Sequence, residues 1–167
     1  AVSEGVYTKL LRWPLGEAKS ETIYGGPVST RQFARANDGS VCLVGSTPEH
    51  PEEVFRLGGL QAIRLTNSNR NLGDVAFGRN DVVQFAARDG LSIEGVLMYP
   101  VGYQSGTRYP LVIVVHGGPE AHHSLAWNTN YGNWGQMLCA RGYFAWYPNY
   151  RASTGYGVAF AKADHGD

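Results

Sequence analysis

Five apolar residues in a row, Leu111-Val112-Ile113-Val114-Val115, lie between Pro110 and the segment His116-Gly117-Gly118-Pro119. No other stretch restricts the fold as much. β-branched side chains dominate the run and favour an extended chain. A half-buried strand alternates polar with apolar residues, and this one does not. The reading is a central parallel strand covered on both faces. Five residues are also far too few to span a bilayer. Downstream, Tyr131, Trp134, Met137, Leu138 and Arg141 recur at helical spacing, and Gly142 stands where a helix C-terminus takes a left-handed residue. Phe144 to Tyr147 then restarts a strand. Strand, loop, helix and strand in this order predict a right-handed βαβ crossover, the start of an α/β sheet.

The first third of the chain has a different grammar. Val6 to Leu11, Ser29 to Ala36, Val41 to Ser46, Glu53 to Leu57 and Gln61 to Thr66 read as short strands. Asn37-Asp38-Gly39 and Pro48-Glu49-His50-Pro51 supply turns between them. Several strands over about 40 residues match one blade of a β-propeller, and a sandwich fragment has the same pattern. Thr66-Asn67-Ser68-Asn69-Arg70-Asn71 has no apolar period and reads as a connector. Beyond it, Val82 to Ala87 and Leu91 to Met98 form a hairpin around Asp89-Gly90. Leu91, Ile93 and Leu97 share one face of the second strand, and Ser92 and Glu94 take the other, which predicts a covered side and a wetter side.

Charge narrows the partners. Fourteen Lys and Arg balance fourteen Asp and Glu with no block of either sign. The chain therefore has no bulk attraction for nucleic acid or an anionic membrane. Charged residues make up 17% of 167, against 12% aromatics and 22 glycines, a composition for a turn-rich, strand-rich protein. Cys42 and Cys139 sit far apart in apolar contexts and read as small buried hydrophobes. Unpaired cysteines favour a reducing, cytoplasmic setting.

Active sites of open α/β sheets gather at the carboxyl ends of strands, and His116-Gly117-Gly118-Pro119 directly follows the apolar run. Two glycines turn the main chain sharply with no Cβ to block approach to their N–H groups. Pro119 removes a competing donor. Amides presented this way suit a developing oxyanion, and a plain Gly-Gly-Pro turn is the alternative. The second polar loop is Asn149-Tyr150-Arg151-Ala152-Ser153-Thr154-Gly155-Tyr156-Gly157. Ser153 has no evident base beside it in sequence, so it reads as a turn or helix-capping hydroxyl. His122 and His123 read as surface loop, His50 as part of a turn, and His165 as part of a frayed end. Trp127, Trp134 and Trp146 read as core.

Three segments together carry a resemblance: Asp89-Gly90-Leu91-Ser92-Ile93-Glu94-Gly95, Tyr109-Pro110 through Pro119, and Asn149 through Gly157. In this order and spacing they resemble the prolyl oligopeptidase family of serine peptidases, especially its acylaminoacyl-peptidase-like branch. The match runs from about Val82 to Gly157, and it departs at Ala152, where members carry Gly. The resemblance implies an α/β fold, the first half of an α/β-hydrolase domain over residues 74–167, preceded by the last strands of a β-propeller over residues 1–73. It implies a Ser-Asp-His triad acting on short peptides, with no metal or organic cofactor, and it leaves self-association of the full-length protein open. Gly118, with Gly117 beside it, would offer backbone N–H to the oxyanion, and His116 would orient its own loop. No Gly-x-Ser-x-Gly pentapeptide occurs, since Gly90-Leu91-Ser92-Ile93-Glu94 fails at its last position. The triad is therefore expected beyond Asp167. Two rivals remain, an esterase or acyl transferase on the same fold and a non-catalytic scaffold.

Overall fold

The computed structural model describes residues 1–118 and 120–164, so the expectations for Pro119 and His165 lie outside the described residues. Three short strands, β1 (Val2–Glu4), β2 (Tyr7–Arg12) and β3 (Glu21–Tyr24), pair antiparallel in that order. A four-stranded antiparallel meander follows: β4 (Ser29–Arg35), β5 (Val41–Thr47), β6 (His50–Gly58) and β7 (Gln61–Arg64). The turn into β6 is confined to Pro48 and Glu49, so His50 already opens the strand. A 3₁₀ turn over Arg70–Asp74 leads into β8 (Asn80–Ala86), β9 (Ser92–Met98) and β10 (Leu111–Ile113). The two-residue strands β11 (Thr129–Asn130) and β12 (Asn133–Trp134) form a small ribbon before helix α1 (Gly135–Ala140), β13 (Phe144–Asn149) and the short helix α2 (Val158–Ala161).

The second large sheet runs β10-β13-β9-β8. β10 and β13 are parallel neighbours with α1 between them in sequence, and β13, β9 and β8 are antiparallel. Gly142 takes φ +80° just past α1. The amides of Gly142 and Tyr143 return to the Cys139 and Leu138 carbonyls, which closes the helix end.

Several expectations are corrected. Among the described residues, Leu111–Val115 is neither central in its sheet nor covered on both faces. β10 is outermost in its sheet, and Leu111, Ile113 and Val115 are each more than half exposed, while Val112 and Val114 turn inward. An apolar run shows tolerance of burial on both faces, and only one face is covered by the described residues. The helix is shorter than the spacing implied. Asn130 takes the Gly132 amide on its side chain, a local bond that competes with helix and leaves Tyr131 fully exposed. Trp134 is 60% exposed and not core, while Trp127 meets Phe77 edge-on at 5.3 Å. In β9 both sides are covered: Ile93 is buried on the expected face, and Val96 and Met98, on the side of Glu94 expected to be wetter, are wholly buried.

Two apolar clusters result. Val6, Val96, Met98, Cys139, Ala145 and Tyr147 form one, each fully buried. Leu10, Tyr24, Val28, Val41, Leu43 and Phe55 form the other. The N-terminal segment joins both, with Val6 in the first and Leu10 in the second. Glu94 can face a core because donors surround it: Oε1 accepts from the Val6 amide (3.0 Å) and the Tyr156 hydroxyl (2.9 Å), and Oε2 from Gln84 (2.6 Å). The polar connector is also anchored. Glu53, buried on β6, accepts from the Thr66 hydroxyl and, at 2.7 Å, from the Ser68 amide. Both cysteines are free thiols, and Cys139 is in the core. Among the described residues, no helix is long and apolar enough to cross a membrane.

Candidate active site

Parallel pairing of β10 with β13 sets the loops that leave their carboxyl ends side by side. One is the glycine loop from His116, and the other is the polar loop from Tyr150. Gly117 and Gly118 are both exposed. Gly118 has φ +140°, and a Cβ there would stand 2.8 Å from the Glu120 nitrogen, so both conformation and space call for glycine. No acceptor among the described residues takes the Gly118 amide, and the residue is exposed.

The second loop straps the first along its length. The Tyr150 hydroxyl donates to the His116 carbonyl, and the Tyr150 ring stacks on the His116 imidazole at 4.5 Å and 21°. Thr154 donates its amide to the Ala121 carbonyl at 2.9 Å, and its hydroxyl meets His122 Nδ1 at 3.1 Å. Asn149, wholly buried, accepts the His123 amide at 2.6 Å and donates back to the His123 carbonyl at 2.9 Å. Its amide also donates to the Tyr156 hydroxyl, whose pKa burial drives up. Arg151 pairs with Asp89 in the β8–β9 hairpin, and that hydrogen bond holds the Asp89 carboxyl below its ordinary range.

Two readings of side chains change here. His123 is not on the surface. It is 8% exposed, its Nε2 donates to the Val114 carbonyl at 3.1 Å, and burial lowers its pKa to about 4, so the ring is neutral. Burial likewise lowers the pKa of His122. Ser153 does have a base beside it: His116 Nε2 lies 2.9 Å from its Oγ. It caps no helix, because Gly157 occupies that position on α2. A serine hydroxyl on an imidazole has the elements of an activated nucleophile. However, Ser153 is wholly buried, and no substrate carbonyl can reach it. The residues 116 and 153 are 37 apart in sequence, and the signal that brings them together is the βαβ topology itself. Among the described residues, no group of three His, Cys, Asp or Glu side chains is placed to hold a metal ion.

No protein-family model matches the chain. Over 122 residues it is 34% identical to the uncharacterized peptidase YuxL of Bacillus subtilis (strain 168), an alignment covering 72% of this chain and 18% of that protein. It is 37% identical over 75 residues to the acylamino-acid-releasing enzyme of Sus scrofa, covering 45% of this chain and 9% of that one. The solved acylaminoacyl peptidase of Pyrococcus horikoshii superposes on 95% of this chain and 24% of its own, with TM-score 0.75 and 20% identity. The chain belongs to the prolyl oligopeptidase family. It spans less than a fifth of the length of these curated relatives. Ala152 has φ +72°, a left-handed backbone that only Gly adopts without cost.

Proposed function

We propose that the complete protein is a serine peptidase that hydrolyses short peptides through an acyl-enzyme, and that this chain supplies one donor of the oxyanion hole, the Gly118 amide. The observation that carries the reading is an exposed glycine pair at the carboxyl end of a strand, with no described acceptor on the Gly118 amide and its loop tied to the Tyr150 hydroxyl. Negative charge grows on the carbonyl oxygen as a serine attacks. A fixed amide donor stabilises that charge without reorganising, which is why one such donor is worth about a hundred- to a thousandfold in rate. The naming of relatives as peptidases and as an acylamino-acid-releasing enzyme supports the peptide over the ester as substrate. In this reading residues 1–73 are the last strands of a propeller, with β4–β7 as a blade, and residues 74–167 begin an α/β-hydrolase domain. The Ser, Asp and His of the triad lie in the remainder of the complete protein.

The test is turnover of aminoacyl and acyl-aminoacyl p-nitroanilides by the complete protein, beside the matching p-nitrophenyl esters. Peptidase activity blocked by a fluorophosphonate is expected, and Gly118→Ala should lower kcat by about a hundredfold or more. Turnover of esters alone would favour an esterase. No labelling and no turnover would leave a scaffold.

A further inference from the structure

A glycine pair gives the main chain freedom to turn, and the same freedom lets the peptide between the glycines rotate. A donor that wanders is a poor oxyanion hole, because the benefit of a fixed dipole lies in its being placed beforehand. Something outside the pair must therefore hold that peptide. The Gly117 carbonyl and the Gly118 N–H belong to one planar trans peptide and point in opposite directions, so a group that fixes the carbonyl aims the amide.

That group is present. His116 Nδ1 lies 3.0 Å from the Gly117 carbonyl oxygen. A carbonyl only accepts, so Nδ1 carries a proton, and in the single-proton tautomer that this contact selects Nε2 is an acceptor. The Ser153 hydroxyl, 2.9 Å away, donates to it. The ring is also held on its face by Tyr150 and on its edge by His123, whose centroid is 5.0 Å away. We infer that Ser153 is a positioning residue: acting through His116, its buried hydroxyl holds the Gly117–Gly118 peptide so that the Gly118 N–H points outward. This rests on the reading of the glycine loop as an oxyanion donor. The relay is ordered as hydroxyl to Nε2, Nδ1–H to carbonyl, and then the amide on the far side of the same peptide. Ser153 itself is enclosed and touches no substrate.

The experiment compares wild type, Ser153→Ala, and the near-isosteric pair Ser153→Thr and Ser153→Val in the complete protein. Ser153→Ala should lower kcat by about ten- to a hundredfold with KM changed by less than about threefold, since the loss falls on the charged intermediate. Affinity for a peptide aldehyde, whose adduct carries an oxyanion, should fall in step with kcat. Affinity for the product peptide should not. Ser153→Thr, which keeps a hydroxyl, should bind the aldehyde more tightly than Ser153→Val, so a poorly folding alanine variant leaves the comparison intact. Ser153→Ala combined with His116→Ala should be no slower than His116→Ala alone. Equal aldehyde affinity in the Thr and Val variants, or wild-type kcat in Ser153→Ala, would overturn the relay. Loss of fluorophosphonate labelling in Ser153→Ala would also overturn it, by making Ser153 the nucleophile. A wild-type protein that turns over no acyl substrate would instead overturn the reading on which the relay rests.

Discussion

Ala152 combines two opposing effects at one residue. Its left-handed φ of +72° costs an L-residue about 1–2 kcal/mol, and its methyl is wholly buried, which returns about 0.8 kcal/mol. Its amide donates to the Phe160 carbonyl at 3.1 Å, so the turn is pinned and cannot relax to an easier conformation. Replacement by Gly removes the strain but also the buried methyl, and it adds entropy to the unfolded chain. The expected outcome for Ala152→Gly in the complete protein is stability within about 1 kcal/mol of wild type in urea melts. Ala152→Val keeps the strain, worsens it by branching at Cβ, and crowds a sealed site. It should cost about 2 kcal/mol or more. A valine variant as stable as wild type would mean that the loop is free to change its turn.

At the level of elements, the mixed sheet depends on a close approach between β9 and β13. Gly95 pairs with Pro148, and a Cβ at Gly95 would lie 2.4 Å from the Tyr147 carbonyl oxygen and 2.7 Å from the Trp146 ring. The nearest obstacle is backbone, so the strands themselves must separate. Gly95→Ala should lose about 1–3 kcal/mol in thermal melts and speed hydrogen exchange in both strands. Gly73, exposed in the 3₁₀ turn with nothing within 4 Å, is the control, and Gly73→Ala should be neutral or slightly stabilising. The elements most legible in the sequence were those set by local chemistry. The Asp89-Gly90 hairpin, the Asn37-Asp38-Gly39 reversal and the Gly142 helix end all fall where the turn residues put them. The glycine loop was equally legible, because Gly117 and Gly118 carry their geometry with them. What local pattern could not give was partnership. The second covered face of β9, the one that carries Val96 and Met98, was missed because Glu94 reads as solvated until three donors from Val6, Gln84 and Tyr156 are brought to it. Ser153 read as isolated for the same reason, since its base arrives from another strand.

Over the whole molecule, titration and exposed surface govern behaviour. The native pKa of His123 is about 4, against 6.5 for an ordinary imidazole, because burial opposes its charge. Between these values the unfolded chain binds more protons than the folded one, so stability rises with pH through that window and is fully present above about pH 6.5. Acidification from 6.5 to 4 should cost on the order of 3 kcal/mol at this site. Glu53 adds to the loss at lower pH. The Thr66 hydroxyl holds its carboxyl below the ordinary range, so its contribution is present at neutral pH and disappears as pH falls through the native value. Melting temperature against pH for wild type and His123→Gln checks the first step: the variant should be flatter between pH 6.5 and 4, and parallel curves would remove His123 from the account.

The outer row of β10 carries the remaining argument. Leu111, Ile113 and Val115 are 53, 57 and 63% exposed on a strand whose far edge is unpaired among the described residues. Unpaired amides and carbonyls beside an apolar row form a template for another strand. The 167-residue chain made by itself should therefore self-associate, its apparent mass in sedimentation rising with concentration. Ile113→Lys places a charge on that edge without entering the core, because the side chain points outward, and it should shift the chain toward monomer. A wild-type chain that stays monomeric over a hundredfold range of concentration and unfolds in one sharp transition would show that this edge is protected by a route other than pairing.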